Sequence, residues 1–259
     1  LNEFGLHANM VDAAQAHRLE PALRPDVIGG VHFPDDAHMN PAKFVLGLAK
    51  LLEARGVRIE RNSEVTGFET LDGKIVAART SRGVARGGQF ILAAGAWSPA
   101  VARDLRRLKI PVQAAKGYSL TVPRPANSPA MPLMLSEARV AVTPMGDLLR
   151  FAGTLELAGM DLTINQRRVD AIARAGQAYL QIERVAPTEE PWRGLRPCTP
   201  DGLPILGRTR AYENLIVATG HAMLGMSLGP ITGKLVAQLA FNEKPELDLH
   251  PLRAERFSN

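Results

Sequence analysis

Phe90-Ile91-Leu92-Ala93-Ala94-Gly95-Ala96-Trp97-Ser98-Pro99 is the stretch that decides the fold. Phe90 to Ala94 is an unbroken apolar run of strand length, which is how a strand buried on both faces of a parallel sheet reads. Gly95 ends it, and Ser98-Pro99 is expected to cap a helix running to about Arg107. The same phrase recurs at Leu215-Ile216-Val217-Ala218-Thr219-Gly220-His221, followed by a helix marked by Leu228, Ile231, Leu235 and Leu239. Strand, glycine and helix start belong to an open α/β sheet, where ligands sit beyond the carboxyl ends of the strands.

Upstream, Asn40-Pro41 opens an amphipathic helix with Phe44, Val45, Leu48, Leu51 and Leu52 on one stripe, stopped by Gly56. Val57 to Arg61 reads as a strand, and Val65 to Ser81 as a hairpin turning on Asp72-Gly73, since a type I′ turn needs positive φ at both central residues. Further back, Leu1 to Leu19 reads as a helix already in progress and Val27 to Phe33 as a strand. Leu1 is not an initiator methionine, so the expectation is the carboxy-terminal part of a longer product.

From Ile110 the texture changes to alternating strands: Val112 to Val122, Ala138 to Pro144, and Leu148 to Glu156 after the Met145-Gly146-Asp147 turn. Alternation predicts an antiparallel sheet, with one long helix over Thr163 to Ile182 burying Val169, Ile172 and Tyr179. The expected architecture is therefore α/β and α+β, an incomplete Rossmann-like domain interrupted by a mostly antiparallel one. Residues 1–35 lead into the antiparallel domain, 36–109 begin the α/β domain, 110–191 form the insertion and 192–259 return to the α/β domain.

Composition narrows the function. Hydrophobic residues make up 46% and charged residues 22% of the 259, which is ordinary globular usage and argues against disorder. The single cysteine, Cys198, excludes an internal disulfide and suits a reducing, cytoplasmic setting, and the histidines show no metal-ligand spacing. A net charge of +5 is compatible with anionic ligands or peripheral contact with a membrane, but aromatics are only 5% and are not interleaved with the basic residues, so no nucleic-acid partner is expected. The apolar runs fall short of the roughly 20 residues that span a bilayer.

Three features carry chemistry. Gly95 and Gly220 at two strand ends either form ordinary left-handed turns or let a ligand approach bare backbone. Gly225, Gly229 and Gly233 leave a bare stripe at the start of the last helix, suited to tight packing on a sheet or to a flat ligand. A ligand at that helix start would meet unpaired N–H groups and the positive end of the dipole. Third, Trp192 to Gly207 sets Arg193 and Arg196 three residues apart on a strand, so they face opposite sides. Pro197, Pro200, Asp201 and Gly202 stiffen the turn that follows, which suits an arginine clamping a carboxylate through two parallel hydrogen bonds. A surface arginine is the plain alternative. The Gly-x-Gly-x-x-Gly, His-Glu-x-x-His and Gly-x-x-x-x-Gly-Lys patterns are missing.

Taken together, Ala94 to Ser98, Lys116-Gly117-Tyr118-Ser119-Leu120-Thr121, Gly194 to Pro197 with Thr199 to Gly202, and Thr219 through Gly233 resemble the family of FAD-dependent D-amino acid oxidases and dehydrogenases. The likeness is greatest to the small subunits of bacterial D-amino acid dehydrogenase. It implies that the α/β portion binds FAD and that the antiparallel portion is a substrate domain. It implies cofactor contacts at Val65 on the adenosine side, at Gly95, Ala96 and Trp97 on the diphosphate and ribose side, and at Gly220, Gly225, Met226 and Ser227 on the flavin ring. It casts Arg196 as the partner of the substrate carboxylate, with Tyr118 and His221 near the substrate face. The implied reaction is hydride transfer from an amino acid α-carbon to flavin N5, then hydrolysis to a keto acid and ammonia, with a respiratory electron acceptor and peripheral attachment to the inner membrane as the implied setting. A glycine or sarcosine oxidase using oxygen and a non-catalytic binding subunit are the alternatives. The sequence departs from the family in lacking its amino-terminal glycine loop, and in Met223 and Met226, where relatives place polar or aromatic residues.

Overall fold

The computed structural model of the protein describes residues 5, 7–183, 185 and 190–257. In chain order β1 (Asn9–Asp12) leads into α1 (Ala13–Leu19), then β2 (Gly29–His32) and α2 (Pro41–Ala54). β3 (Val65–Leu71), β4 (Lys74–Thr80), β5 (Gly83–Arg86) and β6 (Phe90–Leu92) precede α3 (Ser98–Val101). β7 (Gln113–Pro123), β8 (Leu133–Leu135), β9 (Val140–Met145) and β10 (Leu148–Glu156) precede α4 (Gln166–Tyr179). β11 (Trp192–Cys198), β12 (Ile205–Arg208), β13 (Leu215–Thr219) and α5 (Gly225–Ala240) complete the series. Two compact units result, one of Leu1–Leu48, Lys116–Glu156 and Asp161–Gly194, the other of Ala49–Ala115, Leu157–Met160 and Leu195–Asn259.

The first unit is built on a five-stranded sheet in the order β11-β7-β10-β9-β8, with β7, β10, β9 and β8 paired antiparallel. Period-two alternation sends Tyr118, Leu120 and Val122 of β7, Leu149 and Phe151 of β10, and Val140 and Val142 of β9 to one face. α4 covers that face with Val169, Ile172 and Gly176. Gly176 is where helix meets sheet most closely, because a Cβ there would stand 2.6 Å from Phe151 Cε1. The other face carries Ser119, Thr121, Thr143 and Arg150, with Arg150 opposite both threonines.

The second unit contains the sheet β12-β13-β6 and the meander β3-β4-β5. β13 runs parallel to β6, with Leu215, Ile216 and Val217 opposite Phe90, Ile91 and Leu92, and antiparallel to β12. Its core gathers Ile75, Leu92, Leu105, Ile205, Leu215 and Val217. The hairpin turns where expected, with Asp72 at φ +47° and Gly73 at φ +78°. The Asn214 amide staples it to the parallel pair, accepting from Ile75 N at 2.9 Å and donating to Ile75 O at 2.8 Å and Gly88 O at 3.2 Å.

Several expectations need correction. The helix expected over Leu1 to Leu19 begins only at Ala13, and its first residues lie partly outside those described. Asn9–Asp12 is a strand paired with β2, and Asp12 and Gln15 form a capping box at 2.8 and 3.0 Å. Val57 to Arg61 forms no strand, because no described segment pairs with it and unpaired extended backbone is not held by a ladder. Phe90–Leu92 is enclosed on one face only, since Leu92 is buried while Ile91 is 49% exposed. The helix after Gly95 is short, and its cap is Trp97 rather than Ser98, whose hydroxyl is engaged elsewhere. β5, β8 and β12, of three or four residues each, were not foreseen.

Candidate functional site

Because β6 and β13 are parallel neighbours, their carboxyl ends lie side by side, and the two glycines that follow share one edge of the sheet. Thr219 fastens that edge. Its hydroxyl donates to Gly95 O at 3.0 Å and accepts from Ser98 Oγ at 2.9 Å, with Ser98 and Thr219 both fully buried. Gly95 sits at φ +53° and a Cβ there would meet nothing within 4 Å, so the backbone faces open space. Ala96 behind it is buried and Trp97 is half exposed.

Gly220 has a different reason to be glycine. It sits at φ +81°, and a Cβ would stand 2.6 Å from the Thr199 methyl. Thr199 belongs to the turn after Arg196, and Ala222 N donates to Pro197 O at 2.9 Å, so this turn and the Gly220–Ala222 loop are built against each other. The turn is stiff: Thr199 Oγ1 donates to Leu203 O at 2.7 Å, and Leu203 N to Asp201 Oδ1 at 3.1 Å. Arg256 grips Asp201 with two parallel hydrogen bonds of 2.8 and 3.1 Å and also donates to Leu203 O at 2.8 Å. That grip holds the Asp201 carboxyl down at about 2.

Arg196 is half-buried, and burial pulls its guanidinium below its ordinary value. Cys198 lies two residues on, on the same face of β11; burial pushes its thiol up while Arg196 pulls it back. His221 is also half-buried; its Nε2 pairs with Thr232 Oγ1 of α5 at 2.9 Å, and burial lowers its pKa, which keeps the ring neutral at pH 7. Ala222 beyond it takes φ +47°, a strained value for a residue with a Cβ.

α5 starts three residues later without a side-chain cap, Leu224 being at the cap position. The first N–H groups of the helix, from Gly225, Met226 and Ser227, are thus open to a partner at the positive end of the dipole. A Cβ at Gly225 would stand 3.6 Å from His221 Cβ, an ordinary contact, while one at Gly229 or Gly233 would meet nothing within 4 Å. Tight packing on the described sheet is therefore not what those two glycines serve. Val65 is half-buried at the start of β3, opposite Thr80.

The second unit thus brings together Gly95, Ala96, Trp97, Arg196, Gly220, His221 and the start of α5. Tyr118 belongs to the first unit and is only 1% exposed. Its hydroxyl donates to a Glu156 carboxylate oxygen at 2.7 Å and accepts from Asn165 N at 3.1 Å. Lys116, as deeply buried, donates to Asp161 at 2.9 Å and to Thr163 O at 2.8 Å. Burial alone would lower the Lys116 pKa, but Asp161, Tyr118 and Glu156 together raise it, so the ammonium stays charged. The arrangement ties residues 161–165 to the edge of the sheet.

The family described as FAD dependent oxidoreductase matches residues 1–239. The chain belongs to this family. The D-amino acid dehydrogenase of Granulibacter bethesdensis is 32% identical over 263 residues, covering all of this chain and 62% of that protein. That of Paramagnetospirillum magneticum is 35% identical over 251 residues, 95% of this chain and 59% of that protein. The chain thus spans about three fifths of the length of these curated relatives. Among solved structures, glycine oxidase from Geobacillus kaustophilus superimposes with a TM-score of 0.89 at 24% identity, covering 100% of this chain and 69% of that one. L-proline dehydrogenase from P. horikoshii does so at 0.85 and 20% identity, covering 99% and 70%. The mixed α/β architecture is that of the FAD dependent oxidoreductases.

Two contributors to the site were missed from sequence: Thr219, which joins the strand ends, and Arg256, which clamps the Asp201 turn. A threonine between an apolar strand and a glycine was a signal for the first. Nothing local signalled the second, because 55 residues separate the partners. A cleft of about 540 Å³ is lined by Leu206, Arg208, Lys244 and Leu249, at the end of β12 remote from Gly220.

Proposed function

We propose that the chain serves in an FAD-dependent D-amino acid dehydrogenase, forming part of the flavin site and the grip on the substrate carboxylate. The observation that carries this reading is the shared edge of β6 and β13, where the open backbone at Gly95, the uncapped start of α5 and the Arg196 turn are locked together through Thr219, Thr199 and the Ala222–Pro197 hydrogen bond. The D-amino acid dehydrogenases at 32% and 35% identity support the substrate class.

The residues fit the cofactor on two structural grounds: bare backbone at Gly95, and unpaired N–H groups at α5 suited to an electron-rich ring. Val65 would hold the adenosine side, Gly95, Ala96 and Trp97 the diphosphate and ribose, and Gly220, Gly225, Met226 and Ser227 the ring. FAD, when bound, supplies the acceptor for a hydride from the substrate α-carbon. The protein's part is to bind and orient. Arg196 pairs with the α-carboxylate through its planar fork, held steady by the clamped turn behind it. His221, kept neutral by burial, presents a polar ring without a charge beside the substrate ammonium. Tyr118 acts at a distance by anchoring residues 161–165, since its hydroxyl is already engaged. Onward transfer to a respiratory acceptor, a cytoplasmic location and peripheral contact with a membrane complete the proposal. Among the described residues, no helix is long and apolar enough to cross a membrane.

The test is dye reduction by the full-length, flavin-loaded protein with D-alanine against L-alanine, for the parent and Arg196→Ala. Two charged hydrogen bonds at roughly 1.5 to 3 kcal/mol each predict a fall in kcat/KM of about two to four orders of magnitude. Equal rates with both enantiomers, an unaltered Arg196→Ala enzyme, or a colourless full-length protein would refute the reading. Hydrogen peroxide release in place of dye reduction would make it an oxidase.

A further inference from the structure

The polar face of the five-stranded sheet holds an arginine that its own surroundings do not satisfy. Arg150 sits mid-strand on β10 with Thr121 and Thr143 opposite it. Its Nη2 donates to Ser119 Oγ at 2.8 Å and its guanidinium lies 5.3 Å from the centre of the Trp192 ring. Its Nε is buried and has no hydrogen-bond partner. Among the described residues no carboxylate pairs with it; Glu156 is committed to Lys116 and Arg168, Asp161 to Lys116, and Glu190 to Arg193. A buried N–H on a charged group with no acceptor is costly and rare in native proteins.

The wall beside it is shaped to last. A Cβ at Gly194 would stand 2.3 Å from the Trp192 ring, so the glycine lets the indole fold down over its own strand. Trp192-x-Gly194 is thus a device for laying an aromatic plate beside Arg150. A planar guanidinium edge, a hydroxyl and a flat ring match a planar carboxylate better than a phosphate, which calls for more than one cation. Ser119, accepting from Arg150, keeps its own hydrogen to donate.

We propose that Arg150, Ser119 and Trp192 form a carboxylate-binding subsite on the polar face of this sheet. Naming its occupant as a carboxylate of the amino acid substrate rests on the dehydrogenase reading; the subsite itself rests on the geometry. The occupant is the distal carboxylate of an acidic substrate, because the α-carboxylate is taken by Arg196.

The experiment has two arms on the full-length protein. Trp192 lies against the guanidinium, so comparison with Trp192→Phe isolates its share of the emission. Acetate and succinate should then change its emission saturably, an effect lost in Arg150→Met and retained in weaker form by Arg150→Lys. In steady-state kinetics, Arg150→Met should lower kcat/KM tenfold or more. A fall for D-glutamate with D-alanine within twofold supports the distal carboxylate, and equal falls for both overturn it. Should Arg150→Met not fold, Arg150→Lys carries the comparison, with a fall of at least threefold expected. Emission indifferent to both anions in the parent, or variants that titrate and turn over as the parent does, overturn the subsite. Absence of any D-amino acid oxidation would sink the dehydrogenase reading alone, because the emission titration needs no turnover.

Discussion

Replacing Gly220 by alanine tests the construction of the site at one atom. Two costs follow from the structure. Left-handed backbone, here φ +81°, costs an alanine about 1 to 2 kcal/mol. The new Cβ would also stand 2.6 Å from the Thr199 methyl, and forcing a carbon into a packed position costs about 1 to 3 kcal/mol. Against these, alanine restricts the unfolded chain and recovers roughly 0.4 to 1 kcal/mol. The expected net loss is about 2 to 4 kcal/mol, read as a lowered urea midpoint at unchanged slope. Thr199→Ser removes the methyl while keeping the hydroxyl that donates to Leu203 O. In the double variant the clash is gone and the backbone cost stays, so a double-mutant cycle should return a coupling of about 1 to 3 kcal/mol. Zero coupling would mean that the Arg196 turn and the Gly220 strand end are not packed against each other, and the assembled site would fail with it.

Three further outcomes follow. The folded Asp201 carboxyl at about 2 lies below its unfolded value of roughly 3.9, so its contribution is complete above the unfolded value and fades as pH falls toward the folded one; the stability lead of the parent over Asp201→Asn should shrink between about pH 4 and pH 2, whereas a constant lead would refute the clamp by Arg256. His221 also has a lowered folded pKa, so its contribution is present above the unfolded value of about 6.5 and is lost on acidification below it; His221→Gln should flatten that limb of the stability curve, and an unchanged limb would refute burial as the cause. Gly176→Ala should destabilise by about 1 to 3 kcal/mol in thermal unfolding despite the better helix propensity of alanine, because its Cβ meets Phe151 at 2.6 Å; a stabilised variant would contradict the α4 packing.

The local signals that proved legible are those whose cause is local. Asp72-Gly73 requires positive φ at two adjacent residues, and Pro41 sits where a helix can spare an N–H. β9 and β10 alternate because one face is apolar and covered by α4. Elements whose existence depends on a distant partner were misread. Asn9–Asp12 is a strand because Gly29–His32 lies beside it, and Val57 to Arg61, equally apolar, has no described neighbour and forms none. Within the candidate site, Gly95, Arg196 and Gly220 announced themselves by residue type, whereas Thr219 and Arg256 were missed, since each works through a contact with chain remote in sequence.

By itself the sequence determined the alphabet of the molecule: where strands end in glycine, where a hairpin turns, where an arginine precedes a stiff turn, and the family likeness those spacings carry. Only the tertiary structure decided that β6 and β13 are parallel neighbours, which puts their glycine ends on one edge, and that Gly220 stands against a methyl on another segment. It also decided that Arg150 lies half-buried beside an indole with no carboxylate paired to it among the described residues, while the Tyr118 hydroxyl is already spoken for. The physical reason is the same in each case. Backbone preference and turn chemistry act over a few residues and can be read from them, whereas burial, hydrogen-bond satisfaction and steric closeness are properties of what the fold sets beside a residue.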